Sequence, residues 1–208
     1  MLKPLPRWAD YIAFAEDTPN NEGPRAYTTG VVVHSTRGGQ PYGQEWQATV
    51  NWFLNPASGA SANLLIGRDG RVAQFGPLDW VTWHAREYNY RWLGVELEQP
   101  HASDPFTDIQ YLLLASFIRE QAARYGFAIS RDTVVGHDEI PPGIRDGKSD
   151  PGYQFAWAKL MALLTEEEPP IKLPLDTTCV VAALVGLLLV AGAAAVYYWQ
   201  PTERGRYG

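Results

Sequence analysis

Between Gly136 and Gly152 the chain reads "GHDEIPPGIRDGKSDPG", gathering His137, Lys148, Asp150 and three prolines into one short stretch. The chain holds four histidines, His34, His84, His101 and His137. Two of them, His34 and His137, close the β-like runs "TGVVVHST" and "TVVGH", so both could arrive at one sheet edge. Asp150 offers a third donor. Two imidazoles and one carboxylate with an open fourth position form a catalytic zinc arrangement, in which a bound water becomes acidic enough to attack near neutral pH. Asp150 also suits a second role, because "SDPG" is a helix start with Asp as the capping residue and Pro at the first helical position. Spacing alone leaves both roles open, and they can coexist. His101, in the turn-like "QPHASDP", reads as a residue without a functional role.

A base for such a site is also present. In "WLGVELE" (Trp92 to Glu98), strand alternation sends Leu93, Val95 and Leu97 one way and Gly94, Glu96 and Glu98 the other. One face is therefore core and the opposite face carries two carboxylates. Either could serve as a general base, and alternation cannot choose because they share a face. In the earlier run, Val31 and Val33 alternate with Val32 and His34, which brings His34 to the end of a buried strand.

These residues need a scaffold, and the rest of the chain supplies its pattern. "GQEWQATVNWFLN" (Gly43 to Asn55) has helical spacing at Trp46, Val50 and Phe53 or Leu54, and "ANLLIGRDGRVAQF" (Ala62 to Phe75) reads as a hairpin around Arg68-Asp69-Gly70. A helix begins at Thr107, where Gln110 stands at capping-box spacing before the apolar face of Leu113, Leu114, Phe117 and Ile118. Another helix is expected from about Gly152 to Glu166. The fold class that follows is α/β, a mixed central β-sheet flanked by helices.

Beyond this domain (1–166) the composition changes. Residues 167–178 are acidic and proline-rich and read as a tether. The uncharged run from Cys179 to Trp199 would span roughly 30 Å as a helix, with Tyr197, Tyr198 and Trp199 at its interface end, so one C-terminal transmembrane helix (179–199) is expected, followed by a short tail (200–208). The expected localisation is a single-pass membrane anchor that contacts the lipid bilayer. Its side stays open: Arg204 and Arg206 favour a cytoplasmic tail, whereas "MLKPLPRWADYIAF" lacks the apolar run of a secretory signal. The lone Cys179 rules out an intrachain disulfide. A net charge of −6 argues against a nucleic-acid partner.

Five motifs in this order, "VVVHST", "SANLLIGRDGRVAQF", "WHAREYN", "LGVELEQP" and "VVGHDEIPPGIRDGKSDPG", resemble the zinc-dependent N-acetylmuramoyl-L-alanine amidases. That family includes phage lysozyme-type amidases, muropeptide-recycling amidases and animal peptidoglycan-recognition proteins. The resemblance covers roughly residues 29 to 160. It implies that His34, His137 and Asp150 bind Zn2+, that Glu96 is the base, and that Lys148 stabilises the oxyanion. It also places His84 and Trp83 along the substrate cleft, with a buried structural pair as the alternative. Asn63 stands where relatives often have the histidine of "SAHY", which would alter one substrate-side contact. The implied reaction is cleavage of the amide between N-acetylmuramic acid and L-alanine in peptidoglycan or a muropeptide. With the anchor, a phage or prophage endolysin is the leading expectation. The alternatives are a membrane-tethered recycling amidase and a non-catalytic peptidoglycan receptor.

Overall fold

Val31 and Val33 cannot be exposed on a strand without losing the burial that forms it, and the fold answers by covering them. In the computed structural model, which describes residues 5–165, eight strands run in chain order: β1 (Ile12–Ala15), β2 (Asn21–Pro24), β3 (Gly30–Ser35), β4 (Leu64–Ile66), β5 (Val72–Gln74), β6 (Trp80–Thr82), β7 (Trp92–Leu97) and β8 (Val134–Gly136). Four helices join them: α1 (Glu45–Leu54), α2 (Asp108–Tyr125), α3 (Pro141–Arg145) and α4 (Trp157–Thr165). The main sheet has the order β1-β5-β4-β7-β3-β8, and β2 pairs with β6 separately. The β4/β5 pair is antiparallel, as the expected hairpin requires, while β1/β5, β4/β7, β7/β3 and β3/β8 are parallel. This is the mixed sheet anticipated from the pattern.

The alternation in the strands sorts the two faces. Val31, Val33, Leu93, Val95, Leu97, Leu64 and Ile66 join Leu113, Leu114, Phe117 and Ile118 of α2 and Leu160 and Leu164 of α4 in one buried cluster. Each such aliphatic side chain contributes roughly 1.5–3 kcal/mol on burial. The opposite face puts Leu65 and Ala73 beneath Trp46, Val50 and Phe53 of α1. Gln110 fixes the start of α2 by accepting the Thr107 N–H at 3.0 Å, as the capping-box spacing implied.

Two expectations are corrected. Among the described residues no helix is long and apolar enough to cross a membrane. Even α2, at 18 residues, is interrupted by Arg119, Glu120 and Arg124 and is a core helix of the domain. The described fold is therefore a mixed sheet with helices on both faces and no spanning helix to carry a bilayer contact. The stretch 179–199, the tether 167–178 and the tail 200–208 lie outside the described residues. The last helix also starts later than expected, at Trp157 and not near Gly152, because residues 152–155 form a turn closed by the Phe155 N–H on the Gly152 carbonyl at 3.0 Å, and the Ala156 N–H is held by Tyr111 Oη at 2.7 Å. Asp150 is thus not its cap. The proline pair of the opening stretch starts α3 instead, with Pro141 in its first turn.

Candidate active site

Parallel pairing assembles the site. In the β3/β7 register His34 lies beside Glu96, and in the β4/β7 register Glu96 lies beside Leu65, which in turn faces Ala73. One row of residues therefore crosses the sheet from under α1 to His34. Val33 pairs with Gly136, so His137 comes next to His34 in the same row. His137 is held there by α3. A Cβ on Gly143 would fall 1.6 Å from the His137 carbonyl oxygen, so this helix can rest on that backbone only because residue 143 is glycine.

His34 Nδ1, His137 Nδ1 and Asp150 Oδ2 converge. The two nitrogens are 3.1 Å apart, and Asp150 Oδ2 is 3.1 Å from the first and 3.2 Å from the second. Both imidazoles are buried, with 2% and 7% of their surface exposed. Burial and the neighbouring positive groups pull the His34 pKa down despite Asp150, which favours the neutral ring. Burial opposes charge on Asp150, yet its close contacts with His137 and His34 outweigh that and hold the carboxyl far below the usual carboxylate range. Three lone-pair donors in mutual contact repel one another unless a proton or a cation sits among them. Their spacing is close to the ~3.3 Å separation of ligands around a tetrahedral ion bound at about 2.0–2.1 Å. The cluster is able to hold a divalent metal ion.

The two carboxylates that alternation could not separate have different surroundings. Glu98, 3% exposed, accepts the backbone N–H of Trp46 at 3.2 Å and of Arg68 at 2.9 Å. Its charge sits at the start of α1, where backbone donors are otherwise unpaired. Glu96 instead lines a cavity of about 620 Å³ together with His34, His137, Lys148 and Asp150. Although part of the residue is exposed, its Oε2 is buried and has no hydrogen-bond partner among the described residues. Burial, then the nearby Asp150 and Glu45, push its pKa well above the carboxylate range, while Lys148 and Arg37 pull the other way. Lys148 is exposed at the cavity rim, fixed by its own N–H to the Gly143 carbonyl at 2.9 Å.

Trp83 and His84 also line the cavity. The His84 ring, half-buried, approaches His34, and burial followed by the proximity of His34 holds its pKa well below the usual histidine value. Asn63 is placed differently from the expectation. It is buried, its Nδ2 donates to the Trp80 carbonyl at 3.2 Å, and its Oδ1 accepts from Thr82 Oγ1 at 3.2 Å and from the Gly94 N–H at 2.9 Å. Asn63 ties β6 to β7 and is not among the residues that line the cavity.

Sequence reasoning missed three residues here. Trp52 lines the cavity with about half its surface exposed. Glu45 is buried and ties down the loop before α1 by accepting the N–H groups of Gly38 and Gln40 at 2.7 and 3.1 Å. Arg37 donates to Gln99 Oε1 at 3.1 Å, Ser149 Oγ at 2.8 Å and the Pro151 carbonyl at 2.7 Å, gripping the chain on both sides of Asp150. Its signal was faint: an arginine in the Gly-rich stretch just after a strand.

Residues 24–153 match the N-acetylmuramoyl-L-alanine amidase family, Amidase_2. The 1,6-anhydro-N-acetylmuramyl-L-alanine amidase AmpD of Enterobacter cloacae is 38% identical over 113 residues, which cover 50% of this chain and 57% of that protein. The chain thus spans little more than half the length of this curated relative. N-acetylmuramoyl-L-alanine amidase A of Achromobacter lyticus is 26% identical over 154 residues, 66% of this chain and 83% of that one. Among solved structures, a selenomethionine derivative of AmpD superposes with a TM-score of 0.62 at 28% identity, covering 79% of this chain and all of that chain. With its family match running through His34, Glu96, His137 and Asp150, the chain belongs to the N-acetylmuramoyl-L-alanine amidase family.

Proposed function

We propose that the protein hydrolyses the amide joining N-acetylmuramic acid to the L-alanine of a stem peptide, at a Zn2+ held by His34, His137 and Asp150. The observation that carries this reading is the convergence of those three donors beside the unpartnered carboxylate oxygen of Glu96, all within one cavity. Zinc, when bound, would act as a Lewis acid toward the amide carbonyl and the attacking water. Glu96 takes the proton released as water adds to the carbonyl carbon and delivers it to the departing alanine nitrogen, a task suited to a carboxylate whose pKa lies above its usual range. Lys148 supplies positive charge to the carbonyl oxygen as it turns tetrahedral. A receptor that only binds wall fragments has no need of a buried, unpaired carboxylate at that point.

The substrate we favour is a small soluble muropeptide, because the relative named above acts by its name on a 1,6-anhydro-N-acetylmuramyl compound. Intact wall, the substrate of the endolysin reading, is the other outcome of the test. Full-length protein is incubated in parallel with purified sacculi and with anhydromuropeptides, and released peptide is measured by mass spectrometry. Faster release from the small fragments supports the proposal, and faster release from sacculi replaces it with wall lysis. Undiminished cleavage by zinc-free His34→Ala protein would falsify the metal mechanism altogether.

A further inference from the structure

A line of hydrogen bonds runs from the backbone into the metal cluster. The Trp92 carbonyl oxygen lies 3.1 Å from His84 Nε2, and His84 Nδ1 lies 3.1 Å from His34 Nε2. A carbonyl oxygen has lone pairs alone, so His84 Nε2 must carry the hydrogen of the first contact. A neutral imidazole holds a single N–H, which makes His84 Nδ1 an acceptor, and the hydrogen it accepts comes from His34 Nε2. Neutral His34 is then left with a bare Nδ1, the atom that stands 3.1 Å from both His137 Nδ1 and Asp150 Oδ2. The direction of every bond in the line is fixed by the carbonyl at its far end.

We propose that His84 is a positioning residue that sets the tautomer and ring orientation of His34, relaying the Trp92 carbonyl to the nitrogen that faces the metal. Both ring nitrogens of His84 are engaged within the protein, although the residue lines the cavity as expected. The fold makes room for it: a Cβ on Gly94 would come 2.5 Å from His84 Cγ, so the glycine at this point of β7 is the notch that admits the ring. The ring is also oriented for the task. It stands at 86° to that of His34, with centroids 5.2 Å apart, and the His84 backbone N–H is anchored to Asn89 Oδ1 at 3.0 Å. Partners of this kind on a ligating histidine typically change metal affinity 10–100-fold.

The inference rests on the zinc reading, and its test separates the two. Zinc affinity of the full-length wild type, His84→Phe and His84→Gln proteins is measured by competition with a chromophoric chelator. Phenylalanine keeps an aromatic ring but offers no acceptor, and should weaken binding by roughly 10–100-fold. Glutamine, whose amide can accept from His34 and donate to the Trp92 carbonyl, should restore most of it. Long-range proton–nitrogen NMR spectra of metal-free wild type at pH 8 should show the His34 proton on Nε2. A phenylalanine variant that binds zinc as tightly as wild type, or a His34 proton on Nδ1, overturns the proposal. Should His84→Phe not fold, the wild-type spectrum decides alone. Failure of wild type to take up zinc would count against the metal reading, while the tautomer spectrum still judges this one.

Discussion

Over β4 and β5 the inner face of the sheet is roofed by α1, and over β3 and β8 the same face opens into the cavity. The polar groups under the two halves have opposite fates. Under the roof, Glu98 is consumed by two backbone N–H groups, and Asn63 spends its side chain on Trp80, Thr82 and Gly94. On the open half, Glu96 keeps a buried oxygen without a partner among the described residues, and three groups able to ligate a metal crowd together. Glu96 and Glu98 come from one short run and share one face, so residue type and spacing do not distinguish them. What distinguishes them is whether a neighbouring element brings a backbone donor within reach.

The contrast can be broken most sharply at the two glutamates. Glu96→Gln should retain zinc yet lose about 10²–10⁴-fold in kcat, read by peptide release. Equal activity would erase the distinction between the halves. Next in size, Lys148→Met should cost on the order of 10²–10³ in kcat, with smaller change in KM, if the rim cation acts on the developing oxyanion. On the roofed half the readout changes from rate to stability. Asn63→Ala leaves the Gly94 N–H without its acceptor and should destabilise the fold by about 1–3 kcal/mol in urea titrations, with kcat little altered in the folded fraction.

The smallest effect concerns pH and the metal-free protein. Because the folded-state pKa of Glu96 is raised above its unfolded value, its stabilising contribution is complete below the unfolded pKa and is lost as pH rises through the folded one. Glu96→Gln should therefore melt close to wild type at pH 4 and above it at pH 8. A difference of the opposite sign would mean that the carboxylate is satisfied in the folded state, as Glu98 is.

Much of this was legible in the chain. Alternation in "VVVH" and "LGVELE" fixed which residues face the core, and the β-like runs ending in His34 and His137 pointed to a shared edge. The hairpin at Arg68-Asp69-Gly70 and the capping box at Thr107 are local signals and came through. The short strands β1, β2 and β6 carry no periodic run long enough to be seen. The roles of Glu98, Asn63 and Arg37 escaped for another reason: partners of theirs lie 30 or more residues away in Trp46, Gly94 and Ser149, or depend on which side of the sheet a helix comes to rest. Asp150 shows how a local motif can mislead, because "SDPG" has the composition of a helix cap but is followed by a turn.

The row Ala73, Leu65, Glu96, His34 has one further consequence. Inserting a single residue early in β3 would swing a valine into the cavity and bury the histidine among leucines, so a mispaired chain forfeits its hydrophobic interior and its chemistry together. Folding thus proofreads the catalyst: any molecule that has matched its strands well enough to stay folded has already brought its ligands into line.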